Sequence, residues 1–259
     1  NTTHGLSAIF YLDKIFTKDN KLRKKTKILY PSLLRDNFKS DLIYNLDNLG
    51  YDFKWIGNFF AYCPKFNLRY CLNQNQNNLL DSYLYINFFK QTPIIQIIIN
   101  FGYLVNFDFN RYFFFRLNDG MIRLVKYLSE NKSTKKPIFY FVHHMSPHWP
   151  YITDSDCSYK NFPGQKNFEG YKSAYLCVLN KISQTIEYIE KNDPNSFVVF
   201  QSDHNWIMSK SIKEKKMIFN LIKNRNDCQI DQNTNLNNVN TLRLIFSCIT
   251  GNNVQFINK

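Results

Sequence analysis

Phe197-Val198-Val199-Phe200-Gln201-Ser202-Asp203-His204-Asn205 is the stretch on which the fold turns. Its leading residues, Phe197 to Phe200, are aromatic or β-branched, the composition of a buried strand. Gln201 and Ser202 end the apolar run, and Asp203 and His204 follow where such a strand leaves its sheet. In open α/β sheets ligands bind at that carboxyl edge. A carboxylate oxygen and an imidazole nitrogen presented together there suit a divalent ion such as Zn, Mn or Mg. The other reading is a loop aspartate that caps the next segment beside a solvated histidine.

Working outward, Pro137 to Val142 is a second strand, apolar throughout as burial on both faces of a parallel sheet requires. It runs into His143, His144, Met145, Ser146, Pro147, His148, Trp149, Pro150 and Tyr151. Pro147 and Pro150 flank His148 and restrict its backbone, which helps aim the ring at a site. One of His143 and His144 is expected as a buried core ring. Pro31 to Leu49 has helical spacing, Gly50 stops it, and Tyr51, Phe53, Trp55 and Ile56 follow as a strand. Helix, glycine, strand is the half-unit of a parallel α/β sheet. Pro93 to Leu104, Met121 to Leu128, Tyr171 to Lys191 and Val239 to Ile249 read as helices, Met217 to Ile222 as a short strand, and Asp154 to Gly170 as a polar loop.

The amino-terminal segment carries Leu6, Ile9, Phe10, Leu12, Ile15 and Phe16 on one helical face. Thr2, Thr3 and Ser7 stand near its start, where free backbone N–H groups suit an anionic oxygen. They are candidate nucleophiles or phosphate contacts; the alternative is an ordinary N-cap.

At 259 residues, with 44% hydrophobic and 17% aromatic side chains, the chain has the means for one large packed domain. The net charge of +13 concentrates anionic partners in general. Its densest run, Lys21 to Lys27, reads as a solvated face. No zinc-finger spacing or RNA-binding aromatic motif accompanies it, so nucleic acid is not the expected partner. Asn, Lys and Ile are all abundant, so single Asn and Lys residues carry little signal. Asn1 opens without a charged and then apolar leader, and we expect a processed chain or a fragment. The six cysteines permit local bridges Cys63 to Cys71, Cys157 to Cys177 and Cys228 to Cys248, though sequence does not choose the pairing. An even count favours an oxidising compartment.

Phe139 to Tyr151 and Phe200 to His204, taken together, resemble the sulfatase-like branch of the alkaline phosphatase superfamily, near the phosphoethanolamine and phosphoglycerol transferases. That branch has a His-x-x-x-Pro-His-x-Pro-Tyr segment, a Ser-Asp-His-Gly segment and a threonine nucleophile at a helix start. The resemblance implies a three-layer α/β/α sandwich with a mostly parallel central sheet, formed by residues 1–259 as one catalytic domain. It implies Asp203 and His204 as ligands of a divalent ion (Zn, Mn, Mg or Ca), and His148, with His144, as substrate contacts. Leu6-Ser7 points to Thr3 as the nucleophile, with Thr2 one residue out of step.

The expected activity is transfer or hydrolysis of a phosphoryl group, with sulfuric-ester hydrolysis on the same fold as the alternative. The partners implied are anionic phosphate or sulfate esters on a lipid or cell-envelope glycan. The implied location is a membrane-associated domain outside the cytoplasm. Three features depart from the pattern: Asn205 stands where the branch has Gly, no histidine follows His204, and the family's first strand, which ends in an acidic ligand, has no counterpart. These keep a non-catalytic binding protein in view. The chain also lacks Cys-x-Pro-x-Arg and Ser-x-Pro-x-Arg, the formylglycine signatures, which favours threonine chemistry.

Overall fold

The computed structural model describes residues 2–16, 23, 39–56, 72, 93, 97, 100, 120–131, 135–149, 151–164, 167–206, 208–209, 211, 217–225, 228, 236–253 and 255–257. They form an α/β structure whose chain divides into two compact units. The first comprises Asn1–Asp52, Phe60–Tyr62 and Ile186–Lys259; the second comprises Phe53–Phe59 and Cys63–Thr185.

In the first unit, α1 (Thr2–Phe10) packs against α2 (Asp41–Asn48) and α5 (Asn238–Thr250). Leu6, Ile9 and Phe10 of α1 are buried, the i, i+3, i+4 stripe that the sequence displays. The apolar face runs on past Phe10, but the helix stops there. Leu12 takes a left-handed φ of 49°, and its carbonyl accepts from Arg243 Nε at 3.0 Å and Nη2 at 2.7 Å. That fork from α5 replaces the helical partners the carbonyl would otherwise have.

Within the expected helix Pro31 to Leu49, α2 starts at Asp41, because Ser40 caps it by accepting from the Ile43 N–H. Residues 24–38 lie outside the described set. Gly50, at φ 79°, closes the helix as a left-handed C′ residue. Strand β5 (Val198–Gln201) pairs antiparallel with β6 (Asn220–Lys223), Val198 opposite Lys223 and Gln201 opposite Asn220. The expected strand Met217 to Ile222 is thus shifted towards polar residues, since pairing with β5 sets its register. A disulfide joins Cys228 to Cys248 of α5.

The second unit contains most of β1 (Asp52–Ile56), with α3 (Gly120–Glu130), β2 (Ile138–Val142), β3 (Tyr151–Thr153), β4 (Tyr159–Gly164) and most of α4 (Phe168–Asn192). Phe53 stacks on Phe139 and Trp55 on Phe141, so β1 and β2 advance in the same direction, and the His143 N–H donates to the Ile56 carbonyl at 2.8 Å. This is the parallel pair that helix, glycine, strand foretold.

Every residue of β2, and likewise of β5, is half-buried, so the expected burial on both faces is incomplete among the described residues. The expected polar loop from Asp154 to Gly170 is instead largely a hairpin, β3 antiparallel to β4. Its alternation is too short to stand out and Pro163 argues against a strand, yet Tyr151, Ile152 and Thr153 are buried. A disulfide from Cys157 in its turn to Cys177 of α4 fastens it. Cys63 and Cys71, and nearly all of the expected helix Pro93 to Leu104, lie outside the described residues. Among the described residues no helix is long and apolar enough to cross a membrane.

Candidate active site

Strand β5 delivers Asp203 and His204 as the sequence suggests, and a reciprocal clamp holds the exit. The Ser202 N–H donates to the Phe219 carbonyl at 3.0 Å, and the Phe219 N–H donates to Ser202 Oγ at 2.8 Å. Among the described residues Asp203 Oδ2 is buried and accepts no hydrogen bond, and His204 Nε2 lies 3.6 Å away. His204 Nδ1 lies 2.7 Å from the Asn205 carbonyl. A carbonyl can only accept, so Nδ1 carries a hydrogen, and Nε2 is the ring nitrogen on the Asp203 side. Asn205 Oδ1 in turn accepts from the Trp206 N–H at 2.7 Å, which fixes the residue that orients the ring.

This donor set fits a divalent ion. A buried carboxylate oxygen without a hydrogen bond is costly on its own, and a cation shared with the facing imidazole nitrogen removes the cost. No group of three or more His, Cys, Asp or Glu suited to a metal occurs among the described residues, so Asp203 and His204 alone would not complete a shell.

The start of α1 borders the pair. A Cβ added to Gly5 would lie 3.4 Å from Asp203 Cβ and 3.8 Å from Asn238 Nδ2. Thr2 and Thr3 stand in the first turn of the same helix, so the candidate nucleophile segment and the Asp203 segment belong to one unit. The side chains of Thr2 and Thr3 are outside the described set. Ser7, the third hydroxyl, is fully buried and sits among the apolar residues of α1. His4 packs edge-on against Phe16, ring centres 4.7 Å apart.

The remaining histidines belong to the second unit. After β2 the chain turns through a cis Ser146–Pro147 bond, and the His148 N–H donates to the Met145 carbonyl at 2.8 Å. His148 is exposed, and its Nδ1 bonds the Trp149 carbonyl, so Nε2 is the nitrogen left for a ligand. His143 stacks on Trp55. Both ring nitrogens of His144 are buried, without a hydrogen bond among the described residues. Burial, then the Lys181 charge, then His143 pull its pKa from 6.5 down to about 3, so the ring is neutral at ordinary pH.

Sequence reasoning did not single out Gly5 or Asn238. Their proximity to Asp203 arises from packing of α1 and α5, which no local spacing encodes.

Comparison with known proteins gives one family. The model described as Sulfatase matches residues 24–235, a span that contains His148, Asp203 and His204. No curated protein matches the chain. A solved structure, Ps i-CgsB in complex with k-i-k-neocarrahexaose, is 12% identical, with 97% of this chain and 59% of that chain covered and a TM-score of 0.46. The family model spans well over half of the sequence, and the chain belongs to the sulfatase family.

Proposed function

We propose that this sulfatase-family chain is a metal-dependent transferase or hydrolase of phosphate esters, with Thr3 as nucleophile and Thr2 as the alternative. The observation that carries the reading is Asp203 Oδ2, buried and without a hydrogen bond, facing His204 Nε2 beside the first turns of α1. A divalent ion held by Asp203 and His204 would supply Lewis acidity and ease ionisation of a hydroxyl. Asn205 orients the His204 ring through its carbonyl, and the clamp between Ser202 and Phe219 keeps the pair in place.

In the proposed reaction the Thr3 oxygen bonds to phosphorus as the ester P–O bond breaks. The hydroxyl proton passes to solvent, and the departing alkoxide takes one up. Water or an acceptor hydroxyl then attacks phosphorus and frees Thr3. For His148 we propose a contact to substrate oxygens through Nε2. The substrates are anionic esters on a lipid or cell-envelope glycan, to which the net charge of +13 is suited. Disulfides at Cys157–Cys177 and Cys228–Cys248 support a location outside the cytoplasm. The parallel pair β1–β2 supports the parallel strands of the proposed sandwich.

The second reading is sulfuric-ester hydrolysis, which the family name favours. Turnover of a phosphodiester against an aryl sulfate, with mass spectrometry for phosphothreonine at residue 2 or 3, tests the choice. Aryl sulfate turnover alone, with no adduct, would overturn the phosphoryl reading.

A further inference from the structure

Within the first unit, Gly5, Asp203 and Asn238 meet at one point, since both other side chains come within 4 Å of the Cβ that Gly5 lacks. Asn238 is the first residue of α5, and the capping duty there is already filled. Asn237 Oδ1 accepts from the N–H groups of Val239 and Asn240, at 3.0 and 2.8 Å. The Asn238 amide makes no side-chain hydrogen bond among the described residues, and it is half-exposed rather than packed in the core. The helix it begins has no acidic residue in its first turn.

We propose that Asn238 is a substrate-binding residue whose Nδ2 hydrogens are donated to a non-bridging oxygen of the ester beside Asp203. This rests on the reading of Asp203 and His204 as the reacting centre. An anionic group approaching Asp203 meets a carboxylate of its own sign, so neutral donors around it decide whether it binds. An amide supplies two such hydrogens and, unlike lysine, does not compete with a cation for the carboxylate. The partial positive charge at the start of α5 acts in the same direction. Gly5, without a side chain, leaves the space between Asp203 and Asn238 clear.

The test uses the full chain loaded with a divalent ion and titrated calorimetrically with inorganic phosphate and with sulfate. Asn238→Ala should weaken anion binding about tenfold, the loss of one hydrogen bond to a charged group. Asn238→Asp should weaken it further, because a donor becomes a like charge, while melting temperature holds or rises, since an acid in the first turn favours the helix. Metal content should match the parent in both. Parent-like anion binding in Asn238→Asp would overturn the proposal, as would equal weakening in both variants with matching loss of melting temperature. If the Asn238 variants lose anion binding while Asp203→Asn keeps its metal, the metal reading fails and the anion donor stands.

Discussion

Gly120 and the carbonyl of His143 stand in contact so close that a Cβ at residue 120 would lie 2.9 Å from that oxygen and 3.0 Å from Val142 Cγ1. The first residue of α3 is thus wedged against the exit of β2, immediately before His144. The obstacle is backbone, which cannot swing aside as a long side chain would. Gly120→Ala should therefore destabilise the protein by about 1–3 kcal/mol, the usual cost of overpacking, although alanine is the better helix former. Urea denaturation measures it, and a variant as stable as the parent would show that α3 moves without cost.

Asp203 offers a test that does not depend on turnover. Asp203→Asn keeps the shape and removes the charge, so retention of divalent ions after gel filtration should be lost. Without metal, the same variant should be more stable than the parent by about 1 kcal/mol, because a buried carboxylate oxygen with no hydrogen bond is no longer desolvated. Elemental analysis and thermal melts read the two effects. Parent-like metal content would remove Asp203 from the ligand set.

His144 should leave a mark on the pH dependence of stability. The unfolded chain takes up its proton near the ordinary value of 6.5, and the folded chain only near 3. Between those values the unfolded state binds more protons, so stability is full above about pH 6.5 and falls as the pH drops towards 3. The fall amounts to a few kcal/mol at most. His144→Leu removes the group and should flatten that limb relative to the parent. Parallel curves for the two proteins would mean that the ring finds a partner for its proton.

The elements legible in sequence were those whose signals are local. Gly50 announced the end of α2, the apolar run Val198 to Phe200 announced β5, and the spacing of Ala174, Val178 and Ile182 announced α4. The pairing of Asp203 with His204 was equally legible, because both lie on one strand exit. The hairpin between Tyr151 and Gly164 was not, since its stability comes from burial of Tyr151 and from a cross-link to a helix that starts after it. Asn238 was invisible for a further reason. In a chain so rich in asparagine, residue type alone carries no information, and only the approach of α5 to Gly5 marks this one out.

The bridge from Cys157 to Cys177 couples a cross-link to a backbone constraint, and the two can be separated. Cys157 adopts φ 67°, a left-handed conformation that costs a residue with a side chain roughly 1 kcal/mol. Its turn is held independently: the Cys157 N–H donates to the Asp154 carbonyl at 3.0 Å, and the Asp154 N–H to the Ser158 carbonyl at 2.9 Å. Lys160 Nζ also pairs with Asp154 Oδ1 at 3.0 Å. The conformation should therefore persist when the sulfurs are gone. Removing the bridge by Cys157→Ala with Cys177→Ala should cost about 3 kcal/mol, as expected for a loop of this length. Replacing the first substitution by Cys157→Gly should recover roughly 1 kcal/mol, because glycine reaches the left-handed region without strain. Guanidinium unfolding of the two double variants gives the difference. If Gly at 157 is no better than Ala, the turn relaxes once the bridge is gone, and the disulfide itself imposes the left-handed backbone.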